Sequence, residues 1–383
     1  MKLVFAPDSF KGSLSALEIC DILERVAARR FPGAETASVP AADGGEGTVD
    51  ALLRAMGGRR METQVTGPLF EKETAVWGLL PDGSTAVMEM AQASGLPFVP
   101  PDRRDPRETT SLGTGEMLRA ALGQGVRRVL LGIGGSATND GGMGMLAALG
   151  ARFLDGAGNA LRPVGGSLKN VARADFSGLL PALSETEIIV ICDVNNPLLG
   201  DRGATFVYGP QKGATHAIRD ELEAGMARYA QAVSRAVGRD IASFPGAGAA
   251  GGLGAALGGV LGARLKSGID AVLDAADFDE KLRGASLVVT GEGRMDGQSV
   301  RFGKVPVGVA RRCAAHGVPV AAIVGGMGEG AEELFGLCEA AIQTIVPGPM
   351  GLEEAMQNAA ALYESAADRL FRALRIGMEM GQK

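Results

Sequence analysis

The sequence predicts an α/β protein of two domains, on three observations. Short apolar runs that lead into glycine-rich polar loops and then amphipathic helices recur near both ends of the chain, as parallel β-α units require. The stretch after Arg60 instead alternates polar and apolar residues, the pattern of antiparallel strands. A length of 383 residues corresponds to about two domains of ordinary size.

In chain order, residues 2–6 read as a buried strand broken by Pro7. Ser15 then opens an amphipathic helix through Leu17, Ile19, Ile22, Leu23 and Val26 that stops near Pro32-Gly33. Residues 36–39 form a second strand, followed by a loop from Pro40 to Gly47 and a helix through Val49, Leu52, Leu53 and Met56. Segments 61–69, 73–80 and 84–90 read as antiparallel strands joined by Gly67-Pro68 and by Pro81-Asp82-Gly83. A helix opens near Thr109, a strand covers 129–131, and 150–162 reads as a hairpin around Asp155-Gly156. The apolar run 188–192 is a strand, 215–236 is a helix, and the Gly/Ala-rich stretch 246–263 suits close packing. Parallel signals return in strands 286–290, 319–324 and 341–346, with helices at 305–315 and 353–374. One parallel-sheet domain is therefore expected at 1–65 plus 282–383, split between the chain ends, with a mixed α+β domain inserted at 66–281.

Composition narrows the function. A net charge of −6, without a basic stripe or aromatic platform, argues against nucleic acid as a partner. Four cysteines without CxxC spacing fit a reducing cytoplasm better than a disulfide framework or a zinc site. The apolar start Leu3 to Ala6 is too short for a signal peptide, and no run of about 18 apolar residues predicts a membrane span. A soluble cytoplasmic protein is the expectation.

The most informative segment runs from Leu130 to Met145. An apolar strand leads into a loop holding Gly132, Gly134, Gly135, Gly141, Gly142 and Gly144, with Ser136, Thr138, Asn139 and Asp140 among them. Glycines let backbone N–H groups turn toward an anion, and a following helix directs its positive end there. No Gly-Lys-Ser/Thr closes the loop, so it is not a Walker A sequence, nor is it a clean dinucleotide fingerprint. Phosphate chemistry is the expectation.

Ligands of open α/β sheets collect beyond the carboxyl ends of the strands. Polar loops are expected at five such ends: Asp8 to Lys11, Asp43 to Glu46, Ser136 to Asp140, Asp193 to Asn196, and Gly291 to Asp296. Any one of these acids, taken alone, reads better as an N-cap or turn former. Together they supply the carboxylates and fixed cations that phosphoryl transfer uses. His216 and His316 fall on predicted helix surfaces, and no cysteine has a visible activating partner, so neither residue type is expected to do chemistry. Met143 and Met145 read as core.

These segments, taken in order, resemble the bacterial glycerate kinase family, type 1. The resemblance is carried by Phe5 to Ala16 (FAPDSFKGSLSA), Ala42 to Thr48 (ADGGEGT), Gly132 to Gly144 (GIGGSATNDGGMG) and Cys192 to Leu198 (CDVNNPL). Gly209 to Ala214 (GPQKGA), Pro245 to Gly254 (PGAGAAGGLG) and Thr290 to Asp296 (TGEGRMD) extend it over essentially the whole chain. The resemblance implies ATP-dependent phosphorylation of D-glycerate with Mg²⁺, giving 2-phosphoglycerate in this subgroup; related kinases give 3-phosphoglycerate. It also implies a flavodoxin/Rossmann-like domain and a second α/β domain, with the active site in the cleft between them.

Roles within that reaction follow from side-chain chemistry. The amides of Gly134 to Thr138, with Gly135 among them and with Ser136 and Asn139, are expected to hold ATP phosphates, and Lys11 or Lys212 to neutralise the transferred group. Arg294, helped by Ser9, suits the glycerate carboxylate, and Asp193 suits the general base. Asp43 and Asp296 are expected Mg²⁺ ligands, either of which could exchange roles with Asp193. D-Glycerate is the expected small-molecule partner, and the enzyme is expected as a monomer or homodimer.

Two other classes fit less well. A nucleotide-binding oxidoreductase lacks its acidic residue about 20 residues beyond Gly134-Gly135. A non-catalytic sensor of phosphorylated ligands calls for a DNA-binding or partner module, and no segment reads as one.

Overall fold

The computed structural model describes residues 1–41, 47–301 and 303–381. The chain opens with β1 (Lys2–Pro7), the helix Ala16–Arg30, β2 (Glu35–Ser38) and the helix Thr48–Met56. Strands β3 (Arg59–Thr66), β4 (Lys72–Leu79) and β5 (Thr85–Glu89) follow, then the helix Leu112–Gly123 and β6 (Arg128–Gly132). After the short helix Met143–Ala148 come β7 (Arg152–Leu154), β8 (Arg173–Asp175), β9 (Glu187–Ile191), the helix His216–Val237 and β10 (Arg264–Lys266). The remainder holds β11 (Leu287–Gly291), β12 (Arg294–Met295), β13 (Val320–Val324), β14 (Gly326–Met327) and β15 (Ala340–Thr344). It closes on the helix Ala359–Gly381.

The chain divides into two compact units, one built from the two ends and one from Gly57–Gly268 together with residues 47–49. The first unit contains a five-stranded sheet of order β15-β13-β11-β1-β2, parallel throughout. Renumbered within the unit, this is the flavodoxin-like order 2-1-3-4-5. Helices cover both faces, because the strands are apolar on both sides. Leu3, Phe5, Val289 and Ile323 pack under the helices Ala16–Arg30 and Ala359–Gly381. Val4, Ala6, Val288 and Val320 pack against Ile269, Leu273, Phe278, Val309 and Cys313. Ser15 starts the first helix as expected, through a capping box with Glu18.

The second unit contains a six-stranded mixed sheet of order β10-β9-β6-β5-β4-β3. The three strands expected as antiparallel do pair so, β3 with β4 and β4 with β5, while β5, β6, β9 and β10 run parallel. Its core includes Trp77, Met88, Leu131, Met143, Met145 and Tyr229, so both methionines beside the Gly-rich loop are core as read.

Three expectations shift. The domain limits fall near 57 and 268 rather than 65 and 282, because β3 pairs along its whole length with β4. Ile269 to Leu282 likewise pack in the core of the first unit. The hairpin at 150–162 shrinks to a turn closed by one bridge, Leu154 to Ala160, and β7 takes β8 as its ladder partner. Asp155 itself forms the turn, accepting from the N–H groups of Ala157 and Asn159. The expected helix at 353–374 is two helices, Leu352–Gln357 and Ala359–Gly381.

Candidate active site

In the flavodoxin-like unit the strand order reverses between β1 and β11, the place where such sheets bind ligands. Asp8 and Ser9 leave β1 at that point. Asp8 is buried, and its Oδ1 accepts from the Ser9 N–H at 2.7 Å. Ser9 is half-buried and Lys11 exposed. The loop after β11 lies alongside. A Cβ at Gly293 would stand in ordinary contact with Phe10 Cα, at 3.4 Å, so the two loops run side by side.

Arg294 holds its guanidinium out in solvent, 76% exposed, with Nε 3.5 Å from Asp296 Oδ2. Asp296 Oδ1 accepts from the N–H groups of Gln298 and Ser299, so this carboxylate caps a short helix as well as pairing with Arg294. Glu292, which the sequence reading passed over for its charged neighbours, is buried. Burial pushes its carboxyl up, against the pull of Ser299 and Lys304.

In the second unit the Gly-rich loop leaves the carboxyl end of β6. Gly134 and Gly135 are exposed, whereas Ser136, Ala137, Thr138, Asn139 and Asp140 are buried beneath them. The loop is stitched down by the Ala137 N–H to the Ser94 carbonyl at 3.0 Å and the Gly141 N–H to the Gly251 carbonyl at 3.0 Å. Lys212 comes in from the segment Pro210–Lys212. Its Nζ donates to Ser136 Oγ at 2.8 Å and to the Thr138 carbonyl at 2.6 Å. Burial draws its ammonium down to about 7, against an upward pull from Asp140.

Three of the expected phosphate-site residues have partners inside the protein. Lys212 is 1% exposed and donates to the loop's own oxygens. Thr138 and Asn139 are fully buried, and Asn139 Nδ2 donates to Thr205 Oγ1 at 3.2 Å instead of facing outward. Asp140 accepts from Ser111 N and Oγ, both at 2.8 Å, and from the N–H groups of Gly142 and Gly144, both at 3.1 Å. A protein carboxylate thus already occupies N–H groups at the start of the helix Met143–Ala148, while Gly134 and Gly135 are the exposed residues of this loop.

Asp193 follows β9 two residues past the strand. Its side chain accepts from the Gly268 N–H at 2.7 Å, and the residue is exposed. Asn196 beside it is tied down by Tyr208 and by the Arg202 carbonyl. Asp43 lies outside the described residues. The residues not expected to do chemistry have structural surroundings: His216 and His316 meet Asp220 and Asp279, and burial pushes the Cys20 and Cys313 thiols up to about 12.

Among the described residues no three His, Cys, Asp or Glu side chains gather as a metal cage. That is compatible with Mg²⁺, which takes one or two carboxylates and completes its shell with phosphate oxygens and water. Asp296 is a described carboxylate able to serve.

The family model described as the glycerate kinase family matches residues 3–375. A glycerate kinase of Bacillus subtilis (strain 168) is 48% identical over 380 residues, covering 99% of both chains. A glycerate 2-kinase of Escherichia coli (strain K12) is 47% identical over 378 residues, again covering 99% of both. A crystal structure from Salmonella typhimurium LT2, described as a glycerate kinase 2, superposes with a TM-score of 0.90 at 44% identity, covering 99% of both chains. With a family model over nearly its full length and relatives this similar end to end, the chain belongs to the glycerate kinase family.

Proposed function

We propose that this protein transfers the γ-phosphoryl group of ATP to the 2-hydroxyl of D-glycerate, giving 2-phosphoglycerate and ADP. The 2-position is supported by the E. coli relative, named a glycerate 2-kinase, at 47% identity. The observation that carries the phosphate half is the exposed pair Gly134-Gly135, held over a buried layer of Ser136, Thr138, Asn139 and Lys212. Preorganised N–H donors of this kind stabilise charge without reorganising during the reaction.

In this reading Gly134 and Gly135 contact the phosphates with Ser136 at their edge. Thr138, Asn139 and Lys212 keep the loop in shape from below. Lys11, exposed and two residues from Ser9, neutralises the transferred group. Arg294 and Ser9 take the glycerate carboxylate, because a guanidinium matches a planar carboxylate with two parallel donors. Asp193 orients the attacking hydroxyl and receives its proton; in a loose transition state that transfer comes late, so an ordinary aspartate suffices. Asp296, and Asp43 outside the described residues, would hold Mg²⁺, which would supply charge neutralisation during the transfer.

The cytoplasm is the proposed compartment, supported by four cysteines that are all free thiols. No helix of the described residues is long and apolar enough to cross a membrane. A monomer or homodimer is the proposed state.

The test is ³¹P NMR of the product formed from ATP, Mg²⁺ and D-glycerate. A phosphomonoester coupled to one methine proton supports the reading. Coupling to two methylene protons moves the attack to the 3-hydroxyl, and no phosphorylated product from folded protein removes glycerate as substrate.

A further inference from the structure

Glu292 stands at the end of β11, at the same reversal of strand order as Ser9 and Arg294. Its side chain is 6% exposed, and Oε1 meets no hydrogen-bond partner. Oε2 lies 4.0 Å from Lys304 Nζ. The other groups that act on this carboxyl are Ser299, Asp296 and Lys11. Its backbone is held in place, since the Glu292 carbonyl accepts from the Gly325 N–H at 3.1 Å.

A buried acceptor without a donor is costly, and a ligand that brings the donor completes it. Glycerate carries two hydroxyls. The attacking one belongs, on the reading above, to Asp193. The second also loses its water when the substrate is enclosed and needs an acceptor of its own. Glu292 shares its strand end with the residues assigned to the glycerate carboxylate, so it belongs with the groups that hold the acid.

We propose that Glu292 Oε1 accepts the hydrogen bond of the non-reacting hydroxyl of glycerate, and so selects dihydroxy acids over acids that carry one hydroxyl. No proton changes hands at this residue. Sites built to bond a substrate hydroxyl discriminate strongly against analogues that lack it, because the site's buried polar group is then left unpaired. The inference rests on the glycerate kinase reading, and turnover of ATP with D-glycerate by the unaltered protein tests that reading separately.

The experiment compares D-glycerate with D-lactate, which keeps the carboxylate and 2-hydroxyl but lacks the 3-hydroxyl. The unaltered protein, Glu292→Leu and Glu292→Gln are assayed for kcat and KM. Where lactate is not turned over, its inhibition constant against glycerate replaces them. The unaltered protein should favour glycerate by at least about 10²-fold. Glu292→Leu should raise the glycerate KM by about 10²-fold with a smaller change in kcat, while its constants for lactate stay within about threefold. Glu292→Gln keeps an acceptor, so its glycerate KM should rise by about tenfold, and it carries the test if the leucine variant does not fold. An unchanged glycerate KM in both variants overturns the proposal. So does a fall in kcat of the same size for both acids, which would make Glu292 the base or a purely structural group.

Discussion

Lys212 Nζ donates to Ser136 Oγ at 2.8 Å across 76 residues of sequence, and the same ammonium reaches the Thr138 carbonyl. A fully buried lysine therefore braces the glycine-rich loop from beneath, and the loop presents only its two glycines, Gly134 and Gly135, to solvent at this bend.

Stability should report this burial through pH. The Lys212 ammonium is drawn down to about 7 in the folded protein, while the unfolded chain keeps the ordinary value near 10.4. Between those values the unfolded state binds more protons, so unfolding free energy rises with pH. Measured against Lys212→Met by urea unfolding, the unaltered protein should gain stability from about pH 7 to pH 10, at up to about 1.4 kcal/mol per unit. Below about pH 6 the difference should be flat, since both states are then protonated. A difference that is flat across the whole range would mean the ammonium is not desolvated.

Asp193→Asn keeps an oxygen for the Gly268 N–H, so the melting temperature should hold. As the proposed base, its loss should cut kcat by about 10²- to 10⁴-fold. Steady-state kinetics with kcat near normal would remove Asp193 from that role.

Arg294→Lys should raise the glycerate KM by about tenfold or more, with kcat within a few-fold, because one ammonium cannot reproduce two parallel donors. Unfolding free energy should change by less than about 0.5 kcal/mol, since the Arg294–Asp296 pair is exposed on the arginine side. A KM unchanged in saturating ATP would place the carboxylate elsewhere.

Gly251 has φ of +67°, and a Cβ there would stand 2.0 Å from the Thr138 carbonyl oxygen that Lys212 holds. Gly251→Ala should therefore cost about 3 kcal/mol or more of stability by denaturant unfolding. Any folded fraction should show a raised KM for ATP, because the same carbonyl shapes the loop proposed to hold the phosphates. A variant as stable as the parent would show that the loop can shift aside.

Much of this architecture was legible as pattern. The apolar runs at 2–6, 286–290 and 319–324 are short and apolar on both faces, which only a doubly covered parallel strand tolerates. The alternation at 61–69 and 73–80 likewise yields the antiparallel pair β3 and β4. The loop after β6 announced itself through glycines because close approach of backbone leaves no substitute for them; Gly142, with φ of +73°, sits where a Cβ would be 2.5 Å from Ala256 Cβ. The pairing of β7 with β8 was not legible, since an Asp-Gly turn marks where the chain bends and not which later strand it meets.

Among the candidate residues, residue type alone marked Arg294, Asp296, Asp193 and Lys11 as polar groups at strand ends, and the structure keeps each at a strand end or its loop. Whether such a group faces solvent or the interior depends on which distant segments fold over it. Lys212 is buried because the loop's Ser136 and Thr138 oxygens turn inward to meet it, and Glu292 is buried while Arg294, two residues on, is exposed. The sequence by itself determined the family, the strand-loop-helix order and the chemical inventory, because these are carried by local spacing and residue type. Only the tertiary structure decided that Lys212 is a brace, that Asp140 occupies the N–H groups of its own loop, and that Glu292 holds an unpartnered oxygen. Burial and hydrogen-bond partnership are properties of contacts between residues far apart in the chain, and no local pattern encodes them.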